Sequence, residues 1–426
     1  MNRRDFLISA TGMFLNPQTL PGQDSSLEIP AFAEIDRSMK IFIAEKGVPG
    51  ASLAIAHQGR LIFAGGYGYA EKETQTPCTA QSQFRIGSIS KFATAICILK
   101  LVENRKITLA TKAVPFLALV PYLPQGVHYD DRIDKITVEM LLRHTAGFAR
   151  SLHLVPDQIQ IGKDLGIPPE KQRMKDFVGY GLRLPLDSEP GAKWEYSNFN
   201  YMVLGAIVEK ASGLSFDAFL QKEICAPLNL RDLHVGRTLK QDRFKNEVVY
   251  YDAYQLLDHQ LFSSVHPSNR GEKVPWSYGG FLFECAGAAG EIVASMPALC
   301  RLMSALATPG RTPLLSPASV QAMASPPPGE IGHKGDGTPL AHYYGLGLNV
   351  DWYPGNVVVV SHNGGLPGSS TWLKTWETGV TAAMSCNTND KPQQMAMSMI
   401  EPIRVQSGEA IKDSRSARID LFPKML

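Results

Sequence analysis

The sequence predicts an α+β fold in which strands from both ends of the chain complete one antiparallel sheet and a mostly helical lobe is inserted between them. Three observations carry this. Near the N-terminus, Ala51–His57 and Leu61–Tyr67 have strand patterning and join at Gln58-Gly59, as a hairpin does. Near the C-terminus, strand patterning returns in the valine run Val357–Val360, which reads as buried, then in Ser369–Trp376, a Thr378-Gly379 turn and Val380–Cys386. Between them, from Ser88 to about Leu306, the apolar pattern is mainly helical. At 426 residues, 44% hydrophobic and 19% charged, the chain can bury a large core.

The elements follow in order. Asn2-Arg3-Arg4-Asp5-Phe6-Leu7, an apolar run to Leu15 and no acidic residue from Phe6 to Gly22 read as a twin-arginine export signal, about residues 1–25. That places the protein in the periplasm or outside the cell. Phe32–Lys46 is a predicted helix with Ile35, Met39, Phe42 and Ile43 on one side. One main domain is expected over residues 30–410, with a sheet lobe at about 30–85 and 285–410 and a helical lobe at about 88–285. Long loops are expected at 149–190 and 235–285, a helix at Pro392–Val405, and a tail from 411 to 426.

Other function classes are disfavoured. A formal net charge of +2 without a basic run gives no reason to expect nucleic acid. No apolar stretch is long enough to span a bilayer, and no repeat period appears. Cys78, Cys97, Cys225, Cys285, Cys300 and Cys386 lie far apart, which reads as buried thiols rather than a disulfide framework. No His, Cys or carboxylate cluster has metal spacing, so neither metal nor other cofactor is expected. The oligomeric state is left open.

Three short motifs carry chemistry. Ser88-Ile89-Ser90-Lys91 is the one Ser-x-x-Lys and opens the apolar run Phe92–Leu101. Positions i and i+3 share a helix face, so the Lys91 amine lies beside the Ser88 hydroxyl. A serine hydroxyl needs a neighbouring base to become a nucleophile, and a desolvated lysine can be that base. Tyr196-Ser197-Asn198 is the one Tyr-x-Asn; it follows the turn Glu189-Pro190-Gly191 and precedes the helical run Tyr201–Ala211. His362-Asn363-Gly364-Gly365 follows the valine run. Each has a plainer reading. Ser88 suits a helix N-cap, Lys91 a solvated helix surface, Tyr196 a packed aromatic, and His362 a core histidine.

Taken in order, the three motifs resemble those of the serine β-lactamase and penicillin-binding protein superfamily, Ser-x-x-Lys, Tyr-x-Asn and Lys/His-x-Gly. The resemblance is to the branch holding class C β-lactamases, D-Ala-D-Ala carboxypeptidases, D-aminopeptidases and family VIII-type esterases. Leu141-Leu142-Arg143-His144-Thr145-Ala146-Gly147 resembles Leu-Leu-x-His-Thr-Ser-Gly, and Tyr344-Gly345-Leu346-Gly347 resembles the Tyr-Gly-x-Gly strand start. Ala288 to Leu302 resembles the Ala-Gly-Gly-(Leu/Ile)-x-Ser-Thr segment and its following helix.

The resemblance implies a β-lactamase/transpeptidase-like fold with its site between the lobes. It assigns Ser88 as nucleophile, Lys91 and Tyr196 as the proton path, Asn198 as the group positioning Lys91 and the substrate amide, and the N–H groups of Ser88 and Gly365 as the oxyanion hole. His362, Gly364 and Gly365 form the substrate-binding strand, and His144 is expected to be a structural turn after a helix Val138–Arg143.

His362 stands where β-lactamases of this branch carry lysine. A mostly neutral imidazole suits a substrate carboxylate poorly, so the resemblance leans away from an efficient β-lactamase. It implies a serine hydrolase of the esterase, D-aminopeptidase or D-Ala-D-Ala carboxypeptidase kind, among which the sequence does not choose. The lack of any cation from Ser361 to Ser370 favours a neutral ester or small amide, with His362 hydrogen-bonding it. The implied partner is a small-molecule or peptidoglycan-like substrate. The alternative is a catalytically weak or inactive penicillin-binding or scaffold protein of the same fold. Tyr250, Tyr251, Tyr254, Trp276 and Tyr278 in the 235–285 loop are expected either to line the cleft or to pack a surface flap among themselves.

Overall fold

The computed structural model describes residues 29–425 apart from 120–121, 124–125, 127, 149–157, 252–260, 286, 308–313 and 390–393. Arg3, Arg4, Tyr254 and Pro392 lie outside the described residues. Helix α1 (Pro30–Lys46) starts with proline in its first turn, where the missing N–H costs nothing, and ends at Gly47 with φ +62°. It buries Phe32, Ile35, Met39 and Phe42, while Ile43 is only half-buried. Strands β1 (Gly50–His57) and β2 (Arg60–Glu71) follow. They join through Gln58 and Gly59, both at positive φ (49° and 72°), as a tight two-residue hairpin requires.

β3 (Thr76–Pro77) sits on the edge beyond β2. Near the C-terminus come β9 (His342–Tyr344), β10 (Asn349–Tyr353), β11 (Val357–Leu366), β12 (Ser369–Thr375) and β13 (Val380–Cys386). The eight strands form one antiparallel sheet in the order β3-β2-β1-β13-β12-β11-β10-β9. β1 and β13 pair from Ala51↔Cys386 to His57↔Val380, so the two ends of the chain meet in the middle of the sheet.

Strand alternation divides the core. Leu53, Ile55, Met384 and Trp372 face α1 and helix Ile400–Ala410, and the Trp372 indole N–H donates to the Ala396 carbonyl at 2.8 Å. Ala54, Ala56 and Ala383 face the other way. Their small side chains let helix Met296–Ala307 lie close to the sheet, with Cys300 Sγ 3.4 Å from the Ala54 carbonyl oxygen. Cys78, Cys97, Cys225, Cys300 and Cys386 are free and buried.

A second sheet positions the site. β4 (Gln83–Arg85) and β5 (Leu233–Val235) both pair with β8 (Ile292–Ser295), while β6 (Phe262–Ser263) and β7 (Lys273–Val274) pair with each other. β4 leads into α2 (Ser90–Glu103), and three further helices matter: α3 (Val138–Leu142), α4 (Asn198–Ser212) and α5 (Met296–Ala307). α2 is buried along most of its length and packs against α4.

Several elements differ from the sequence expectation. The valine run is not buried throughout. Val357 and Val358 are 38% and 40% exposed at the tip of the β10–β11 hairpin, while Val359 is buried and Val360 packs half-buried against the core. The strand continues to Leu366, so His362-Asn363-Gly364-Gly365 lies inside β11 rather than after it. The region 149–190 contains helices Gln158–Leu165 and Met174–Gly181. The expected Pro392–Val405 helix is broken into Gln394–Met397 and Ile400–Ala410. Pro402 explains the restart, because proline is tolerated in a helix's first turn and not in its interior.

Candidate active site

Ser88 lies in a tight 3₁₀ turn, Gly87–Ile89, between β4 and α2. The capping position of α2 is Ile89 and no side chain caps it, so Ser88 does not serve as a helix cap. Two glycines explain how β11 reaches this turn. Gly87 has φ +53°, and a Cβ there would stand 2.6 Å from the Gly365 nitrogen. A Cβ on Gly364 would stand 1.9 Å from the Ile86 carbonyl oxygen and 3.1 Å from the Ser88 nitrogen. Neither space admits a side chain. The backbone N–H groups of Ser88 and Gly365 are thereby brought to neighbouring places, as an oxyanion hole requires.

Lys91 is fully buried on the first turn of α2. Its Nζ donates to Ser88 Oγ at 3.1 Å, Asn198 Oδ1 at 2.7 Å and the Ala289 carbonyl at 2.6 Å. Three acceptors satisfy an ammonium in full. If Lys91 loses a proton, the bonds to Asn198 and Ala289 persist, and its lone pair faces the Ser88 hydroxyl. One geometry therefore serves both states of a general base. Lys91 Nζ is also 5.0 Å from the Tyr196 ring centroid, and that ring is half-buried.

His144 does more than terminate a helix. It is fully buried with φ +59°, just after α3. Its Nδ1 accepts the Ser197 N–H at 3.2 Å and meets Asn200 Nδ2 at 3.0 Å, while its own carbonyl accepts the Glu195 N–H at 2.8 Å. A backbone N–H can only donate, so Nδ1 is the bare nitrogen of this imidazole. The ring lies against Tyr196, 4.3 Å between centroids, and against Tyr344 at 4.7 Å. His144 thus fixes the loop carrying Tyr196 and the start of α4, where Asn198 stands. The sequence offers no signal for this beyond the Thr-Ala-Gly that follows it.

His362 is 3% exposed. Its Nδ1 donates to the Asn363 carbonyl at 2.7 Å, and its Nε2 lies 2.9 Å from the Tyr344 hydroxyl. Burial, and then the charge of Lys91, push this imidazole down to about 3 against the opposing effect of the Asn363 bond. It is neutral at ordinary pH, so Nε2 accepts the Tyr344 O–H. Both nitrogens are engaged by the protein: the ring is tied to the β11 backbone through the Asn363 carbonyl and to β9 through the Tyr344 hydroxyl.

The 235–285 loop also turns inward. Tyr250 and Tyr278 flank the buried Arg85, whose guanidinium is 4.4 Å and 5.6 Å from their ring centroids. Trp276 stacks on Phe281 at 6.1 Å. Of the described aromatics, Tyr250, Trp276 and Tyr278 pack inward in this way, whereas Tyr251 donates to Glu73, 2.6 Å away.

A family model described as Beta-lactamase matches residues 35–398. Among curated proteins the chain is 27% identical over 228 residues to N-acetylmuramyl-L-alanine amidase of Bacillus subtilis strain 168, covering 52% of this chain and 50% of that protein. It is 24% identical over 222 residues to Protein flp of Staphylococcus aureus strain N315, covering 51% and 41%. The chain thus spans half or less of the length of these two relatives. Two solved structures share the fold. D-amino acid amidase from Ochrobactrum anthropi SV3, complexed with D-phenylalanine, superposes with a TM-score of 0.66 at 24% identity, covering 90% of this chain and 99% of that one. The octameric penicillin-binding protein homologue from Pyrococcus abyssi superposes with a TM-score of 0.63 at 23% identity, covering 88% and 77%.

Proposed function

We propose that this chain, which belongs to the beta-lactamase family of hydrolytic serine enzymes, cleaves a small neutral amide or ester through an acyl-enzyme on Ser88. The observation that carries this is the Lys91 amine, buried and held at 3.1 Å from Ser88 Oγ and 2.7 Å from Asn198 Oδ1. In this reading Ser88 Oγ attacks the substrate carbonyl as its proton passes to the Lys91–Tyr196 pair. The N–H groups of Ser88 and Gly365 hold the oxyanion, at roughly 3 kcal/mol per donor. The pair then protonates the leaving nitrogen or oxygen, the carbon–heteroatom bond breaks, and the acyl group remains on Ser88. Water attacks that ester by the reverse proton path and frees the acid.

The preference for a neutral substrate rests on His362. A buried, neutral imidazole whose nitrogens are both occupied cannot pair with a substrate carboxylate. A D-amino acid amide, the class named in the Ochrobactrum amidase, fits this reading, as does a short acyl ester. The test is a hydrolysis panel of p-nitrophenyl esters, D-amino-acid amides, D-Ala-D-Ala peptides and nitrocefin. Turnover should be highest on the first two. Preferential turnover of nitrocefin or D-Ala-D-Ala peptides would overturn the neutral-substrate reading.

A further inference from the structure

The segment whose Ala289 carbonyl takes a Lys91 proton also carries a carboxyl that the proposed chemistry does not use. Glu291, directly before β8, is 2% exposed. Its Oε2 accepts the Gly290 N–H at 2.8 Å, so the side chain folds back over the peptide that follows Ala289. The backbone N–H groups of Ala289 and Glu291 also support the carboxyl.

The main chain here is held from both sides. The Glu291 carbonyl accepts the Gly236 N–H at 2.7 Å, the Ile292 N–H donates to Ser90 Oγ at 3.1 Å, and Thr94 Oγ1 donates to the Ala288 carbonyl at 2.7 Å. The segment also lies against the nucleophile's turn: a Cβ on Gly290 would be 3.8 Å from the Gly87 carbonyl carbon. Where the resembled segment reads Ala-Gly-Gly, this chain reads Ala289-Gly290-Glu291. Core packing needs no carboxyl there, and a buried one is costly unless its partners compensate it.

The groups that contact this segment are mostly uncharged. From α2 come Ser90, Thr94 and Lys91; from the stretch after β5, Gly236; from its own segment, the three amides. Lys91 is the charged group that acts on it. We propose that Glu291 is a positioning residue for the proton path: it holds the Ala289 carbonyl on Lys91 and, through its own ionisation, sets the pH at which the Lys91–Tyr196 pair releases its proton. This rests on the hydrolase reading above. Burial pushes the carboxyl up to about 7, while the Gly290 bond and the Lys91 charge hold it down. Ionised, Glu291 retains a proton on the pair. Neutral, it lets that proton go.

The test is the pH dependence of Ser88 labelling by a fluorophosphonate in the full chain, its Glu291→Gln variant and its Glu291→Gly variant, with thermal unfolding of each. Removing the negative charge should move the acid limb of the labelling rate to lower pH by roughly half to one unit. A purely structural brace would lower the rate without moving the limb. An unmoved limb in a folded Gln or Gly variant overturns the proposal and leaves the hydrolase reading standing. Absence of labelling in the unsubstituted enzyme overturns both.

Discussion

Lys91 and His362 lie in neighbouring pockets and are buried alike, at 0% and 3% exposed. Around Lys91 three oxygens converge at 2.6–3.1 Å, all of them acceptors. Around His362 one carbonyl takes the Nδ1 proton, and the Tyr344 hydroxyl gives its own proton to Nε2. The first pocket can compensate an ammonium; the second compensates only a neutral ring. Burial alone therefore does not decide which nitrogen handles protons; the acceptors around it do. The contrast also assigns tasks. In the proposed mechanism the Lys91 pocket exchanges a proton with Ser88, and the His362 pocket stiffens the strand that carries Gly365.

The largest effect should come from emptying the first pocket. Lys91→Met should lower kcat by about 1,000-fold or more, with Tyr196→Phe also strongly impaired. The double variant should lose little beyond the worse single, because both groups serve one proton path. Steady-state kinetics on the best ester or amide checks this, and multiplicative losses would split the pair into independent roles.

Moving the cation to the second pocket should be damaging in a different way. His362→Lys places an ammonium where Tyr344 and the Asn363 carbonyl provide too few acceptors, within reach of the Lys91 charge. A loss of roughly 3 kcal/mol in urea unfolding is expected, without a gain in nitrocefin turnover. Unchanged stability with raised nitrocefin turnover would show that the pocket opens to solvent and substrate.

The same contrast can be sharpened through pH. The unfolded imidazole of residue 362 takes up its proton near 6.5 and the folded one only at about 3. The stabilising contribution is complete above 6.5, and it falls as pH drops from there toward 3, because only the unfolded state gains the proton. The slope should approach about 1.4 kcal/mol per pH unit. His362→Asn should flatten this part of the stability–pH curve, while Asn198→Ala should leave it in place. Equal slopes in the enzyme and the His362→Asn variant would contradict a dry, neutral His362.

Much of the site was legible in the sequence because its parts are local. Ser88 and Lys91 are three residues apart, on a 3₁₀ turn and the helix start that follows it, and the Gln58-Gly59 hairpin and the two terminal sets of strands have short-range signatures. What was not legible depends on long-range packing. The exposure of Val357 and Val358 depends on how far the β10–β11 hairpin reaches past its cover. His144 is 52 residues from Tyr196 along the chain, and nothing at either position signals that one ring lies on the other. Glu291 sits in a segment that resembles a glycine-rich motif, where only the fold shows its carboxyl turned onto the peptide beside Ala289. The fate of His362 was also hidden: Tyr344, which occupies its Nε2, arrives from β9 at the sheet edge.

The most direct measurement is intact-mass and peptide-mapping analysis of the protein after treatment with a fluorophosphonate, alongside Ser88→Ala with a matched thermal melt. One adduct per chain, mapped to Ser88 and absent from the folded variant together with all hydrolysis, is the expected result. An adduct on another residue, or hydrolysis surviving in Ser88→Ala above a contamination control, would contradict the account.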